Sequence, residues 1–291
     1  MKRIALFVAT NLAIILVLSA VARLSGLDGW LARQGESLTG LLACAALFGF
    51  SGALISLALS KWLAMRALGL RLIDAPANLT EQWLLETVRN LSQRAGIGMP
   101  EVGMFESAQP NAFATGPNRD RALVAVSSGL FASMERAEIE AVLGHEITHV
   151  ANGDMVTLTL IQGVLNTFVI ILSGIVGNIV DRTLTRDRDG RGPAYLITQL
   201  LSQLVLGVLA SMIVMWFSRQ REFRADAGGA RLAGRERMIA ALGRLQQAHD
   251  APLPAQLRAL GIAGGEAGGW QQLFTSHPPL LERIAALQSP G

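Results

Sequence analysis

Ala141-Val142-Leu143-Gly144-His145-Glu146-Ile147-Thr148-His149-Val150-Ala151-Asn152-Gly153-Asp154 runs without a break into Met155–Val180, which contains no Asp, Glu, Lys or Arg. The first part reads as a helix. Ser133 can cap it, Glu135 and Glu138 suit its first turn, and Asn152-Gly153 ends it. The second part is long enough to cross about 30 Å of hydrocarbon as a helix. A water-side helix and a membrane helix therefore abut, and this junction decides the fold.

Three further stretches lack charge: Ile4–Ala22, Ser37–Ser60 and Gly192–Ser218. Hydrophobic residues make up 51% of the chain, mean hydropathy is +0.39, and charged residues are 16%, against roughly 25% in soluble domains. Four such stretches in 291 residues argue for a membrane protein rather than for buried core helices. Met1-Lys2-Arg3, the apolar Ile4–Leu18 and Ala20-Val21-Ala22 also fit a signal peptide. We read the segment as a retained membrane helix, and either choice leaves the later topology unchanged. Lys61, Arg66 and Arg71 follow the second stretch, and Arg219, Arg221 and Arg224 follow the fourth. Basic residues at span ends mark the cytoplasmic side. The loop Asp181–Arg191 holds four Arg and three Asp and runs against this pattern. The alternative is a hairpin that crosses part-way.

The net charge is +3, with a pI near 9.7. The 25 basic residues are spread thinly, mostly beside the apolar stretches. No basic stripe with interleaved aromatics exists, so no nucleic acid is expected as a partner; the lipid bilayer is. The single cysteine, Cys44, excludes an intramolecular disulfide and a cysteine metal cluster.

Between the membrane stretches lie two water-side regions. In the first, Thr80–Arg94 is an amphipathic helix with Leu84, Leu85, Val88 and Leu91 on one face. Gly96 and Gly98 end it. Strand-like runs follow at Glu101–Phe105, Ala112–Thr115 and Ala122–Val126, separated by turn residues. Near the C-terminus Leu280–Leu287 reads as a helix after Pro278-Pro279. Each region is small for a core of its own, so the two are expected to fold together. The expected division is 1–60, two transmembrane helices; 61–154, the first part of a cytoplasmic domain; 155–218, a transmembrane hairpin; and 219–291, the second part.

His145 and His149 are four apart and share one helix face, so both rings can reach one ion. Glu146 projects to the side, where it can touch a metal-bound water instead of the metal. Neutral imidazoles suit Zn²⁺. A catalytic zinc needs a third protein ligand, and Asp154, Glu222, Asp226, His249 and His277 are available. Glu222 and Asp226 are four apart on a helix, so one carboxylate can bind metal while the other fixes a ligand histidine. They can equally pair with Arg219, Arg221 and Arg224 in a charged turn. Spacing leaves the choice open. His249, among Gln246, Gln247 and Asp250, reads as an exposed residue.

The run His145–His149, Asn152-Gly153-Asp154, two apolar segments and Glu222-Phe223-Arg224-Ala225-Asp226 resembles the HtpX family of membrane heat-shock metallopeptidases. More distantly it is similar to the CAAX prenyl proteases and other zincins with a glutamate ligand. Asn111-Ala112-Phe113-Ala114-Thr115-Gly116 and Ser276-His277-Pro278-Pro279 extend the resemblance over nearly the whole chain. It implies a mainly α, α+β fold: four transmembrane helices and a split zincin-like catalytic domain with a small β-sheet. It also implies one Zn²⁺ per chain on His145, His149 and Glu222, with Glu146 as base. Asp226 would orient a ligand histidine, assigned to His145, and Asp154 becomes the second choice as ligand. His277 is the candidate donor to the oxyanion, and Arg283 a candidate for positioning or salt bridging. Asn111 is a candidate to bind a substrate backbone group, on a strand edge that receives an extended peptide.

The expected function is a zinc endopeptidase of the bacterial inner membrane with its catalytic domain in the cytoplasm. Its substrates would be membrane or membrane-proximal proteins. The resemblance alone adds quality control under stress. A non-catalytic zinc scaffold or chaperone is the alternative, but it has no need of Glu146. An intramembrane protease would bury the motif in lipid, whereas Glu135, Arg136, Glu138 and Glu140 put the start of this helix in water.

Overall fold

The computed structural model describes residues 38–185, 193–250 and 277–289. The expected first membrane helix, with its signal-peptide alternative, lies outside the described residues. In chain order the elements are α1 (Leu38–Leu68), β1 (Arg71–Leu72), α2 (Leu79–Ala95), β2 (Glu101–Phe105), β3 (Ala112–Thr115), β4 (Leu123–Ser127) and α3 (Ser128–Ser133). Then follow α4 (Arg136–Asn152), α5 (Asp154–Thr185), α6 (Pro193–Ala233), α7 (Arg235–Asp250) and α8 (Leu280–Gln288). The chain is mostly helical with one small mixed sheet, and it forms two compact units.

One unit comprises the described residues up to Ile55 together with Thr159–Val214. Here α1 meets α5 at small residues. A Cβ on Gly49 would lie 2.4 Å from Thr167 Oγ1, and one on Gly163 would lie 2.4 Å from Phe50. Three helices among the described residues are long and apolar enough to cross a membrane: Thr39–Leu68, Asp154–Asp181 and Ala194–Ala233. Most of their apolar surface is exposed, including Leu200, Leu204 and Val205 on α6. A bilayer can cover such a surface and water cannot. At 40 residues the last span would be about 60 Å long as a helix. That is about twice the hydrocarbon thickness, so part of it extends beyond the lipid.

The other unit comprises Ser56–Leu158 and the described residues from Met215 onward. Its sheet has the order β1-β2-β4-β3. β2 and β4 run parallel, whereas β1 pairs antiparallel with β2 and β3 antiparallel with β4. β4 is buried along its whole length, as a central strand should be. β3 is a half-buried edge strand that packs along α4. Leu84, Val88 and Leu91 of α2 join Val124 and Val126 of β4 and Leu143 and Ile147 of α4 in one core. Asn78 caps α2 by accepting from Glu81 N at 2.9 Å, and Gly96 ends it at φ 68°, in the left-handed region glycine tolerates.

Three expectations are corrected. Strand β4 begins at Leu123 rather than Ala122, because Ala122 lends only its carbonyl, to Glu101 N at 2.9 Å. β1 adds a strand at Arg71–Leu72 that two residues are too few to announce. Ser133 does not cap α4. It closes α3, where its hydroxyl donates to Gly129 O at 2.7 Å, and Met134 then breaks the helix in extended backbone. Glu135 takes the cap position, its N–H bonded to Glu138 Oε2 at 2.9 Å.

Candidate metal centre

α4 lies between α2, α7 and β3, so Ile139, Leu143, Ile147 and Val150 are sealed in the core. This packing turns the other side of the helix, with His145 and His149, toward α6. Gly153 ends α4 at φ 64°, and Asp154 opens α5 immediately. That turn carries the Asp154 carboxylate back to His149, with Oδ2 2.8 Å from Nδ1. On α6, Glu222 and Asp226 stand one turn apart, buried to 0% and 1% exposure. Asp226 Oδ1 lies 2.8 Å from His145 Nδ1.

Both Nδ1 atoms thus face carboxylates and carry the protons they donate. Each ring then presents a lone pair at Nε2. The two Nε2 atoms are 3.1 Å apart, and Glu222 lies 3.4 Å from His145 Nε2 through Oε2 and 3.3 Å from His149 Nε2 through Oε1. Acceptors crowded this closely repel one another unless a cation lies between them. Glu222 Oε1 is also buried without a hydrogen bond. Tetrahedral ligands at the usual zinc bond lengths are about 3.3 Å apart, so the spacing fits that ion. His145, His149 and Glu222 are the group among the described residues that could hold a metal.

Electrostatics agree. Burial pushes the His145 and His149 pKa values down, but the adjoining carboxylates outweigh it. Asp226 and Glu222 raise His145, and Asp154 and Glu222 raise His149 to about 9. The pocket favours positive charge on these rings, and a divalent metal satisfies the same demand through their lone pairs.

Arg283 comes in from α8, buried to 6% exposure. It donates from Nε to Asp226 Oδ2 at 2.8 Å and from Nη2 to Oδ1 at 2.6 Å. Burial lowers its pKa, but Asp226 more than compensates and raises it. Its Nη2 is also 3.5 Å from His145 Nδ1. Both are donors, so this is convergence on Oδ1 and not a hydrogen bond. His277 lies with Nδ1 2.7 Å from Glu222 Oε2, on a side chain 60% exposed. The structure thus brings His277 to the carboxylate of Glu222. Glu146 is half-buried and makes no hydrogen bond to another described residue.

Asn111 is exposed just before edge strand β3. Its N–H donates to Ser127 Oγ and its carbonyl accepts from Ser127 N, both at 2.9 Å. The side chain of His249 lies outside the described residues. The sequence reading treated Asp154 as a rival ligand and missed its contact with His149. A carboxylate directly after the glycine that ends a histidine-bearing helix was the available signal. The bidentate Arg283–Asp226 contact had none, since the residues are 57 apart.

The α4–α6 contact depends on glycine. A Cβ at Gly229 would lie 3.0 Å from His145 N, and one at Gly228 would lie 2.2 Å from Thr148 Cγ2. Gly228→Ala must push α6 from α4 and carry Glu222 off the histidines. Overpacking of this kind costs about 1–3 kcal/mol. We expect affinity for the metal to fall about 10- to 100-fold, read by competition with a chromophoric chelator. Thr148→Ala in the same chain removes the two closest atoms and should restore most of it.

Residues 78–290 match peptidase family M48. Together with the apolar helices and the His-His-Glu cluster, this makes the chain a membrane metalloprotease, acting on peptides or proteins. It is 61% identical over 289 residues to "Protease HtpX homolog" of Thiobacillus denitrificans, covering 99% of each chain. It is 61% identical over 291 residues to "Protease HtpX" of Nitrosococcus oceani, again covering 99% of each. The chain belongs to peptidase family M48 and is of the HtpX type. Its fold resembles the crystal structure of S. mikatae Ste24p, with TM-score 0.62 and 19% identity over 98% of this chain and 67% of that one.

Proposed function

We propose that the chain is a zinc-dependent endopeptidase of the bacterial inner membrane, with its catalytic domain split between 61–154 and 219–291 on the cytoplasmic side. It cuts membrane or membrane-proximal proteins in quality control. The observation that carries this reading is the triad of ligand atoms 3.1–3.4 Å apart, with both histidines backed by carboxylates. His145, His149 and Glu222 hold one zinc. Asp226 and Asp154 fix the two rings, and Arg283 locks Asp226. When bound, zinc polarises the scissile carbonyl and makes water more acidic.

The rest is done by the chain's own residues. Glu146 takes the proton of the attacking water and delivers it to the leaving amine. β3, the edge strand of the sheet among the described residues, receives the substrate as an added strand, and the Asn111 amide binds its backbone. His277 steadies Glu222 through Nδ1. With Nδ1–H engaged there, Nε2 donates to an oxyanion only when the ring is protonated. A non-catalytic scaffold has no use for the carboxylate of Glu146, which makes no hydrogen bond to another described residue.

The test is cleavage of casein or a membrane substrate by the purified protein, with and without a zinc chelator. Activity should vanish with the chelator and return on adding Zn²⁺. Undiminished cleavage by metal-free protein would rule the proposal out.

A further inference from the structure

The groups of the metal centre stand at the ends of apolar stretches. On α6, Ser218 closes the charge-free stretch Gly192–Ser218, and Glu222 follows four residues later in the same helix. A helix rises about 1.5 Å per residue, so the step from Ser218 to Glu222 is about 6 Å. On α5, Asp154 directly precedes the charge-free stretch Met155–Val180, and its carboxylate lies 2.8 Å from His149 Nδ1. Both helices are long and apolar enough to cross a membrane. Each therefore carries a group of the metal centre within about 6 Å of its apolar part.

Exposed aromatic residues mark the ends of such stretches. Trp216 and Phe217 are exposed just before Ser218. Trp62 is exposed toward the end of α1, with the Arg66 guanidinium 5.7 Å from its ring centre. Tryptophan collects where hydrocarbon meets headgroups. From Trp216 to Glu222 the helix rises about 9 Å, and the headgroup layer is about 5–7 Å deep on each side of the hydrocarbon.

We propose that the metal centre works at the depth of the lipid headgroups, so that its substrates are juxtamembrane segments, cut as close as about four residues from the end of a transmembrane stretch. The proposal rests on the peptidase reading above and narrows its substrate. The step is hydrolysis: the oxygen of water bonds to the carbonyl carbon, the C–N bond breaks, and a water proton goes to the amine. Four extended residues reach about 13 Å, enough to bring the bond from the hydrocarbon edge to the ligands. A transmembrane segment holds its flanking residues at this depth and raises their local concentration, whereas a soluble chain must arrive by diffusion. The rival arrangement has the centre well clear of the lipid, where only long flanking segments reach it.

The test reconstitutes the full wild-type chain, loaded with zinc, in liposomes with model substrates. Each substrate has one transmembrane helix followed by the same cleavable sequence, with the scissile bond about 4, 8 or 16 residues from the helix end. The nearest bond should be cut within about tenfold of the rate of the farthest. A centre about 30 Å clear of the lipid needs about nine residues or more, and would leave the nearest bond uncut. Depth is read separately from activity. Gln220 is exposed two residues before Glu222, and a bimane dye on Gln220→Cys, in a chain also carrying Cys44→Ser, reports the level of the centre. A phospholipid with a nitroxide on its headgroup should quench the dye more strongly than aqueous iodide does. Loss of more than about tenfold at the nearest bond, or stronger quenching by iodide, overturns the headgroup-depth assignment and leaves the peptidase reading standing wherever casein is cut. A zinc-loaded protein that cuts neither casein nor any of the model substrates overturns the peptidase reading, and the substrate assignment with it.

Discussion

Glu146→Gln should lower kcat about 10³- to 10⁴-fold, at the upper end of what general acid–base catalysis contributes, while the protein keeps one zinc per chain. The glutamine has the same shape and cannot accept a proton. Glu146 stands beside His145 on α4, half-buried, and makes no hydrogen bond to another described residue. No hydrogen bond among the described residues is therefore lost with its charge. His145, His149 and Glu222 are untouched, so metal retention separates loss of the base from loss of the site. Single-turnover cleavage with zinc measured on the same sample checks both. Cleavage within tenfold of wild type would mean that another group takes the proton.

The second large effect is on the metal itself. Glu222→Ala should abolish stoichiometric zinc, since two histidines alone leave the ion without its third protein ligand. The variant also strands His277 Nδ1, which lies 2.7 Å from Glu222 Oε2. Asp154→Ala should cost about 10- to 100-fold in zinc affinity, the usual effect of losing a carboxylate behind a ligand histidine. Dialysis followed by metal analysis of both variants orders them. If Asp154→Ala emptied the site and Glu222→Ala did not, the two carboxylates would exchange roles.

Local features were legible in the sequence wherever one element contained the whole signal. The four-residue spacings of His145 to His149 and of Glu222 to Asp226 put each pair on one helix face, and both pairs converge in the structure. The apolar stretches at 37–60, 155–180 and 192–218 correspond to the three long helices. Features made by pairing distant segments were not legible. Nothing in Glu101–Phe105 or Leu123–Ser127 announces that they run parallel, nor that β3 lies at the edge beyond β4. Arg283 reads as a candidate for positioning or salt bridging, but its partner emerges only when α8 docks and buries it against Asp226. Ser133 reads as the cap of α4 with Glu135 in its first turn, and Met134 in extended backbone moves the cap to Glu135.

The order of these elements along the chain has a consequence for biosynthesis. A ribosome delivers His145 and His149 first, then the two long apolar helices, and only then Glu222, His277 and Arg283. A nascent or truncated chain that stops within α5 carries the two histidines but not Glu222, which completes the cluster able to hold a metal. On the reading proposed above, no peptidase site is complete until the segment between His149 and Glu222 has been made. The long apolar stretches are thus made before the residue that completes the metal cluster, so a chain cut short within them has no finished cluster.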